Sequence, residues 1–492
     1  MIQPHLPALQ VVIPLLAAPA CILLRQASLA WLMSFAVACA SFGVAVLLLR
    51  QAADGPAISY AIGGWPPPWG IEYRIDALNA SLLVIVSAVN AIVMIFARAS
   101  VEREIEADRI YLFYAAWLLC FTGLLGIVAT GDAFNLFVFL EISSLSSYAL
   151  ISLGRDRRAL TSAFQYLVLG TIGATFILIG IGLAYMMTGT LNMADLARRL
   201  AAAEGNRTVR VALAFVVVGA SLKLALFPLH VWLPNAYAYA PSAVSAFLAA
   251  TATKVSVYVL LRFVFTVFGA GFSFGVLPLD AILMPLALVA MFVGSLAAIV
   301  QEDVKRMLAY SSVAQIGYIV LGISFVTQDG LTGGIVHIFN HALIKGAMFM
   351  AMGCVFFRLG SVALSDMRGI GRCMPWTMAA FAVGGFGLIG VPGTAGFISK
   401  WYLVVAGIEA GWWPAVLVLA SSLLAVVYVW RVIEIAYLQP APAGRPAPAE
   451  APLSLLLPTW VLAALSIYFG IDSELTVGVA RHAAALLLGA GS

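Results

Sequence analysis

The sequence predicts an all-α polytopic membrane protein with about fourteen transmembrane helices. Of its 492 residues, 63% are hydrophobic and only 10% are charged, against about 25% charged in an ordinary soluble domain. Mean hydropathy is +1.04. Runs of about twenty apolar residues recur along almost the whole chain, and each is long enough, as a helix, to cross a hydrocarbon core of roughly 30 Å.

In chain order the runs centre near residues 16, 38, 88, 120, 142, 174, 218, 252, 287, 316, 345, 388, 424 and 460. Met1 to Ala8 lack a basic leader, so no cleavable signal peptide is expected and the first run is expected to remain as a span. Between the second and third runs, residues 54–76 contain GPAISYAIGGWPPPWGIEYRID after Asp54. Glycine, proline and aromatic residues there suit an ordered extramembrane or interfacial turn region rather than a helix. Residues 439–452, QPAPAGRPAPAEAP, read as an extended Pro/Ala linker.

Two later runs are interrupted. GASLKLALFPLHVWLP carries Lys223 before Pro228, and GFGLIGVPGTAGFISKW carries Pro392 before Lys400. Paired broken helices in two halves of a chain point to an inverted-repeat transporter with its site near the membrane midplane. The plainer alternative is that the prolines only kink two helices.

The net charge of +4 says little alone, but its distribution orients the chain. With fourteen spans and the N-terminus outside, fourteen Lys and Arg fall in inside loops, among them Arg98, Arg103, Arg155, Arg358, Arg431 and Arg445. Eight fall outside, four of them clustered between Arg198 and Arg210. The positive-inside rule therefore places both termini on the non-cytoplasmic side. Five scattered cysteines form no C-x-x-C or C-x-x-C-H, so no iron–sulfur, zinc or attached haem site is expected.

Ionisable residues inside the apolar runs carry the most information. The chain has five lysines and twenty-one arginines; the arginines fall in or near loops, whereas Lys223, Lys254, Lys345 and Lys400 fall within spans. A buried lysine can shed its proton and become neutral, but arginine keeps its charge. Each central lysine costs roughly 2.5 to 3.5 kcal/mol to insert, so four cost on the order of 10 to 14 kcal/mol before pairing. One lysine could serve as a tether to a carbonyl or snorkel to the interface; four argue for proton handling.

Glu141, in GDAFNLFVFLEISSLSSYALISL, lies near the middle of the fifth run. A carboxylate in lipid protonates or pairs with a cation, and Lys223 is the expected partner in a coupled acid–base pair. In GIVHIFNHALIKGAMFM, His337, His341 and Lys345 are spaced four apart, so on a helix they form one polar stripe climbing about 12 Å. Histidine titrates near neutral pH when little perturbed, which suits a carrier between lysines. His230, just past the Pro228 break, reads as either a relay group or a polar anchor. Lys305, beside Glu302, Asp303 and Arg306, is either a relay member or the marker of the cytoplasmic end of the tenth span.

Other signals carry nothing. GFGLIG matches G-x-G-x-x-G, but no strand–helix unit surrounds it and Pro392 follows, so it reads as a helix break. No Walker motif supports ATP hydrolysis. His337 and His341 lack the glutamate of H-E-x-x-H. No cofactor, metal or nucleic-acid partner is expected, and no catalytic chemistry of the chain's own.

The segments SLKLALFPLHVWLPNAYAYAPSAVSAFLAATATKVSVYVLLRF, QEDVKRMLAYSSVAQIGYIVLGI, HIFNHALIKGAMFM and GVPGTAGFISKWYL resemble the signature segments of the antiporter-like subunits. Respiratory complex I, Mrp-type cation/proton antiporters and membrane-bound hydrogenases share these subunits. The likeness spans roughly residues 70 to 435 and implies fourteen helices with two inverted five-helix repeats, each holding a broken helix. The chain divides accordingly into N-terminal helices and loop (1–109), repeats at 110–265 and 274–437, the linker (438–452), and a final transmembrane helix with its tail (453–492).

By motif position the resemblance implies proton translocation through Glu141, Lys223, Lys254, His337, His341 and Lys400, with a less defined role for Lys345. The YAIGGWPPPWGIEYRID loop and Lys400 are most similar to the D-type member of the Mrp antiporters; some family members have glutamate where Lys400 stands, which disfavours those. Residues 475–489 are too few for the lateral helix of the largest homologues. The implied function is a proton-moving subunit of a multisubunit Na+/H+ antiporter, with other membrane subunits as partners and Na+ as the exchanged ion, in a bacterial-type inner membrane. The alternatives are a proton-pumping subunit of an NADH:quinone oxidoreductase, with redox chemistry in partner chains, and a stand-alone organic solute transporter, for which no solute-binding cluster is evident.

Overall fold

A computed structural model describes residues 3–53, 55–203, 205–441 and 448–489. The chain opens with α1 (Leu6–Leu24) and α2 (Ala27–Ala53), then forms an antiparallel hairpin of β1 (Ile58–Ala61) and β2 (Glu72–Ile75), with Ile58 opposite Ile75 and Ala61 opposite Glu72. The turn-rich loop is thus a β-hairpin, a form its proline and glycine content obscures in the sequence. Next come α3 (Ala77–Glu104), α4 (Ile110–Ala129), α5 (Ala133–Ser152), α6 (Arg158–Thr188) and the short α7 (Met193–Ala201).

The first interrupted run forms α8 (Arg207–Leu224) and α9 (Trp232–Tyr239), followed by α10 (Ser242–Leu261), α11 (Leu279–Ile299), α12 (Val304–Ser324) and the 32-residue α13 (Gln328–Leu359). The second forms α14 (Pro375–Ile389) and α15 (Ala395–Glu409), followed by α16 (Trp413–Tyr437), α17 (Leu453–Ile471) and α18 (Glu474–Leu487). Among the described residues, twelve helices are long and apolar enough to cross a membrane. The two broken pairs, α8/α9 and α14/α15, complete the fourteen crossings. Part of the Pro/Ala linker, residues 442–447 with Arg445, lies outside the described residues.

Polar caps start many of these helices. Asp76 accepts from the backbone N–H groups of Leu78 and Asn79 while Asn79 accepts from that of Asp76, a reciprocal capping box for α3. Asp132 caps α5 and Asp303 caps α12. On the hairpin side, Tyr73 pairs with Thr130 and Asp132 with Asn192, tying the hairpin, the α4–α5 turn and the α6–α7 turn together.

In hydrocarbon, a helix break must re-satisfy the backbone groups it frees. At the first break Ala225 adopts left-handed backbone, and the Trp232 indole donates to the Leu222 carbonyl at 3.0 Å. Trp232 is held by stacking on Tyr166 at 3.9 Å. At the second, Gly390 has φ +89, a conformation glycine adopts without strain. Gly396 then passes so close that a Cβ there would lie 1.8 Å from the Gly387 carbonyl oxygen. The α13 helix packs against α10, α12, α14, α15, α17 and α18, which places the His337–Lys345 stripe at the centre of the bundle.

Candidate functional site

Glu141 lies on α5 and Lys223 in the last turn of α8. The direct ion pair expected between them is not formed. Lys223 donates to the Ser144 hydroxyl at 2.6 Å, and the Glu141 Oε1 atom has no hydrogen-bond partner among the described residues. The cause is helical spacing: Ser144 stands three residues past Glu141 on the same face and intercepts the ammonium. The Glu141 charge still acts on Lys223 at longer range.

Lys254, on α10, is 1% exposed. Its ammonium bonds the Ala249 carbonyl and the Thr253 hydroxyl, both on its own helix. It therefore ties no two helices together, and a tether role has no support at this position. Packing of α10 along α13 brings Lys254 into electrostatic range of His337, His341 and Lys345.

The three α13 residues are buried and differ in their partners. His337 bonds Ser399 through Nδ1 at 2.8 Å and Gln315 through Nε2 at 3.0 Å. His341 stacks parallel to His337 at 6.1 Å, and neither of its ring nitrogens has a hydrogen-bond partner among the described residues. Lys345 reaches across to α12, bonding the Leu308 carbonyl at 2.8 Å and the Ser311 hydroxyl.

Lys400, on α15, turns back onto the end of α14. Its ammonium donates to the carbonyls of Leu388 and Ile389 at 3.0 and 2.9 Å and to the Ser422 hydroxyl at 2.9 Å, and lies 4.6 Å from the centre of the Tyr318 ring. A cation at a helix C-terminus is favoured by the helix dipole, and the broken helix supplies that terminus inside the bundle. Tyr318 in turn contacts the His337 ring at 5.7 Å. Lys400, Tyr318, His337, His341, Lys345 and Lys254 thus form one neighbourhood spanning α10, α12, α13 and α15.

Two residues stand apart. His230 sits in the first break, stacked on Phe227 at 5.4 Å and edge-on to Tyr310, with Nδ1 unpartnered. Lys305 is the second residue of α12, 3% exposed, and donates to the Ser242 hydroxyl at 2.9 Å. No side-chain hydrogen bond joins Lys223 to Lys254 among the described residues, although α8 packs on α10.

Sequence reasoning missed Ser144, Gln315, Tyr318, Ser399 and Ser422, which hold the titratable groups in place. One signal was available. On α12, Lys305, Ser311, Ser312, Gln315 and Tyr318 recur at helical spacing, making a polar stripe on an otherwise apolar helix. The titratable side chains are buried side by side in the bundle; among the described residues no group of three or more His, Cys, Asp or Glu could hold a metal ion.

Comparison with known proteins identifies the family and the fold. The family described as NADH:quinone oxidoreductase/Mrp antiporter, TM, matches residues 130–425. The NADH-quinone oxidoreductase subunit N of Desulforudis audaxviator is 45% identical, over 96% of each chain. The D-type subunit of the Na(+)/H(+) antiporter of Alkalihalophilus pseudofirmus is 32% identical, over 84% of this chain and 83% of that one. A chain of the Mrp complex from Dietzia sp. superposes with a TM-score of 0.91 at 26% identity, covering 100% of this chain and 98% of that one. The chain belongs to the NADH:quinone oxidoreductase/Mrp antiporter family of transmembrane proteins.

Proposed function

We propose that this chain is the proton-translocating membrane subunit of a multisubunit Na+/H+ antiporter, similar to the D-type member of the Mrp assembly, and that Glu141, Lys223, Lys254, His337, His341 and Lys400 carry the proton. One observation carries this reading above the others. Lys254 is fully buried, bonds only its own helix, and sits among two histidines and a further lysine. Its insertion cost of roughly 2.5 to 3.5 kcal/mol has no structural return.

In this mechanism a proton on one site disfavours a proton on the next, so each arrival drives the one ahead forward. Glu141 and Lys223 form one end, Lys254 the centre, His341 and His337 the carriers, and Lys400 the far end. Lys345, tied to α12, and His230, in the first break, stand beside this line as secondary members. The breaks near Pro228 and Pro392, one in each of the segments 110–265 and 274–437, support a two-repeat organisation.

We place both termini outside the cytoplasm, in a bacterial-type inner membrane. Three contacts join segments assigned to the inside, which supports a shared face: Arg155 donates to the Arg103 carbonyl, Arg431 pairs with Glu302 and Arg358 donates to the Glu450 carbonyl. Under the positive-inside rule that face is cytoplasmic.

The 45% identity to an NADH-quinone oxidoreductase subunit N favours a second reading, in which the same line serves a redox-driven pump. The test is purification of the tagged protein in mild detergent with identification of every co-purifying subunit by mass spectrometry. Small membrane subunits alone, with sodium-dependent proton flux in vesicles, support the antiporter. Co-purifying iron–sulfur or flavin subunits overturn it in favour of the redox-driven pump.

A further inference from the structure

Away from the central line, three helices meet at a second set of buried charges. Glu104 is the last residue of α3 and 8% exposed. Its Oε2 accepts from the backbone N–H of Ser242 at 3.0 Å, and its Oε1 accepts from the Ser100 hydroxyl at 2.7 Å. Ser242, fully buried, is the first residue of α10, and its hydroxyl accepts from Lys305 on α12. Lys305 also packs 4.9 Å from the centre of the Phe356 ring on α13. A buried carboxyl group and a buried lysine are therefore joined through one serine rather than paired directly.

A purely structural role explains Glu104, since a helix N-terminus favours a carboxylate, but it fits Lys305 poorly. The first turn of α12, where Lys305 stands, disfavours a positive charge by about 0.3 to 1 kcal/mol. Lys305 is also the first member of the α12 polar stripe, which continues through Ser311 and Ser312 to Gln315. Ser311 binds Lys345 and Gln315 binds His337. The climb from Lys305 to Ser311 is about 9 Å along the helix axis.

We propose that Glu104, Ser242 and Lys305 form the inlet through which a proton from the arginine-rich face reaches the central line, along α12. This rests on the proton-translocating reading above and adds to it the side and the residues of loading. A proton from water binds the Glu104 carboxylate and then passes to the neutral Lys305 amine, restoring the carboxylate and forming the ammonium. Lys305 returns to the amine as the proton moves along α12 to Lys345. Glu302, Asp303 and Arg306, which flank Lys305 in the chain, and Arg155, which donates to the Glu104 carbonyl, set the field in which this occurs.

The test uses the assembled complex in proteoliposomes, with three variants beside the parent. Glu104→Gln keeps an oxygen for the Ser242 N–H, and Lys305→Arg keeps the charge but cannot release a proton. Each is expected to lower proton flux at least tenfold with subunit composition unchanged. In Glu104→Gln, acidifying the arginine-rich side is expected to recover flux, and acidifying the other side is not. Parental flux in either assembled variant, or recovery from the wrong side, overturns the inlet; if one variant does not assemble, the other decides. Lys254→Ala separates the two levels: inactive Lys254→Ala with parental Glu104→Gln rejects the inlet alone, whereas parental flux in Lys254→Ala rejects the proton-line reading itself.

Discussion

His341 and His337 lie one turn apart on α13, both 1% exposed, yet their substitutions should have opposite effects on stability. Neither ring nitrogen of His341 has a hydrogen-bond partner among the described residues, and an unsatisfied buried polar group costs about 1 to 3 kcal/mol. His341→Leu removes that cost with a side chain of similar size, so the protein should be as stable as the parent or more stable by about 1 to 3 kcal/mol. His337→Leu instead leaves the Gln315 Oε1 atom without its partner, while Ser399 keeps its bond to the Gly396 carbonyl. It should destabilise by about 1 to 3 kcal/mol. Melting curves in detergent, followed by tryptophan fluorescence, read the first difference, and proton flux in vesicles reads the second. Flux should fall at least tenfold in both variants, which corresponds to about 1.4 kcal/mol or more on the limiting barrier. A His341→Leu protein that melts as early as His337→Leu would refute the argument from unpaired nitrogens, and parental flux would remove His341 from the relay.

Three further outcomes follow from the packing. Gly396→Ala forces a Cβ against the Gly387 carbonyl and should prevent accumulation of folded protein, whereas Gly478→Ala, with nothing within 4 Å, should be neutral or stabilising by up to about 1 kcal/mol; membrane expression levels compare the two. Arg262→Leu leaves Asp76 without its ion pair, in which the two side chains are 10% and 17% exposed, and should cost about 3 to 5 kcal/mol in a melting assay, part of it recovered by adding Asp76→Asn. Lys400→Met frees the Leu388 and Ile389 carbonyls and should lower both stability, by about 1 to 3 kcal/mol, and flux.

Much of this architecture was legible in the sequence because hydrocarbon imposes a strong constraint. Apolar runs of membrane length located the fourteen crossings, and a proline within an apolar run that also holds a lysine located both breaks. The four buried lysines stood out because lysine is costly in lipid and rare in this chain. Four features were not legible, each for a physical reason. The hairpin at Ile58–Ile75 was hidden by a loop rich in proline and glycine. The α18 helix is only 14 residues long, short of membrane length, and reads from sequence as a tail. The Ser144 bond to Lys223 displaced the expected ion pair because a hydroxyl one turn along competes for the ammonium, a contest that charge spacing alone does not show. Gln315 and Tyr318 escaped notice because neutral polar residues carry little hydropathy signal until a neighbouring helix presents a histidine or lysine to them.

The central claim is that protons cross the bundle through Lys254, whose hydrogen bonds stay within α10. The most direct measurement is proton flux through the purified complex in proteoliposomes, parent against Lys254→Ala, with subunit composition checked in both. Loss of flux with the complex intact is the expected result. Flux at the parental rate would contradict the account.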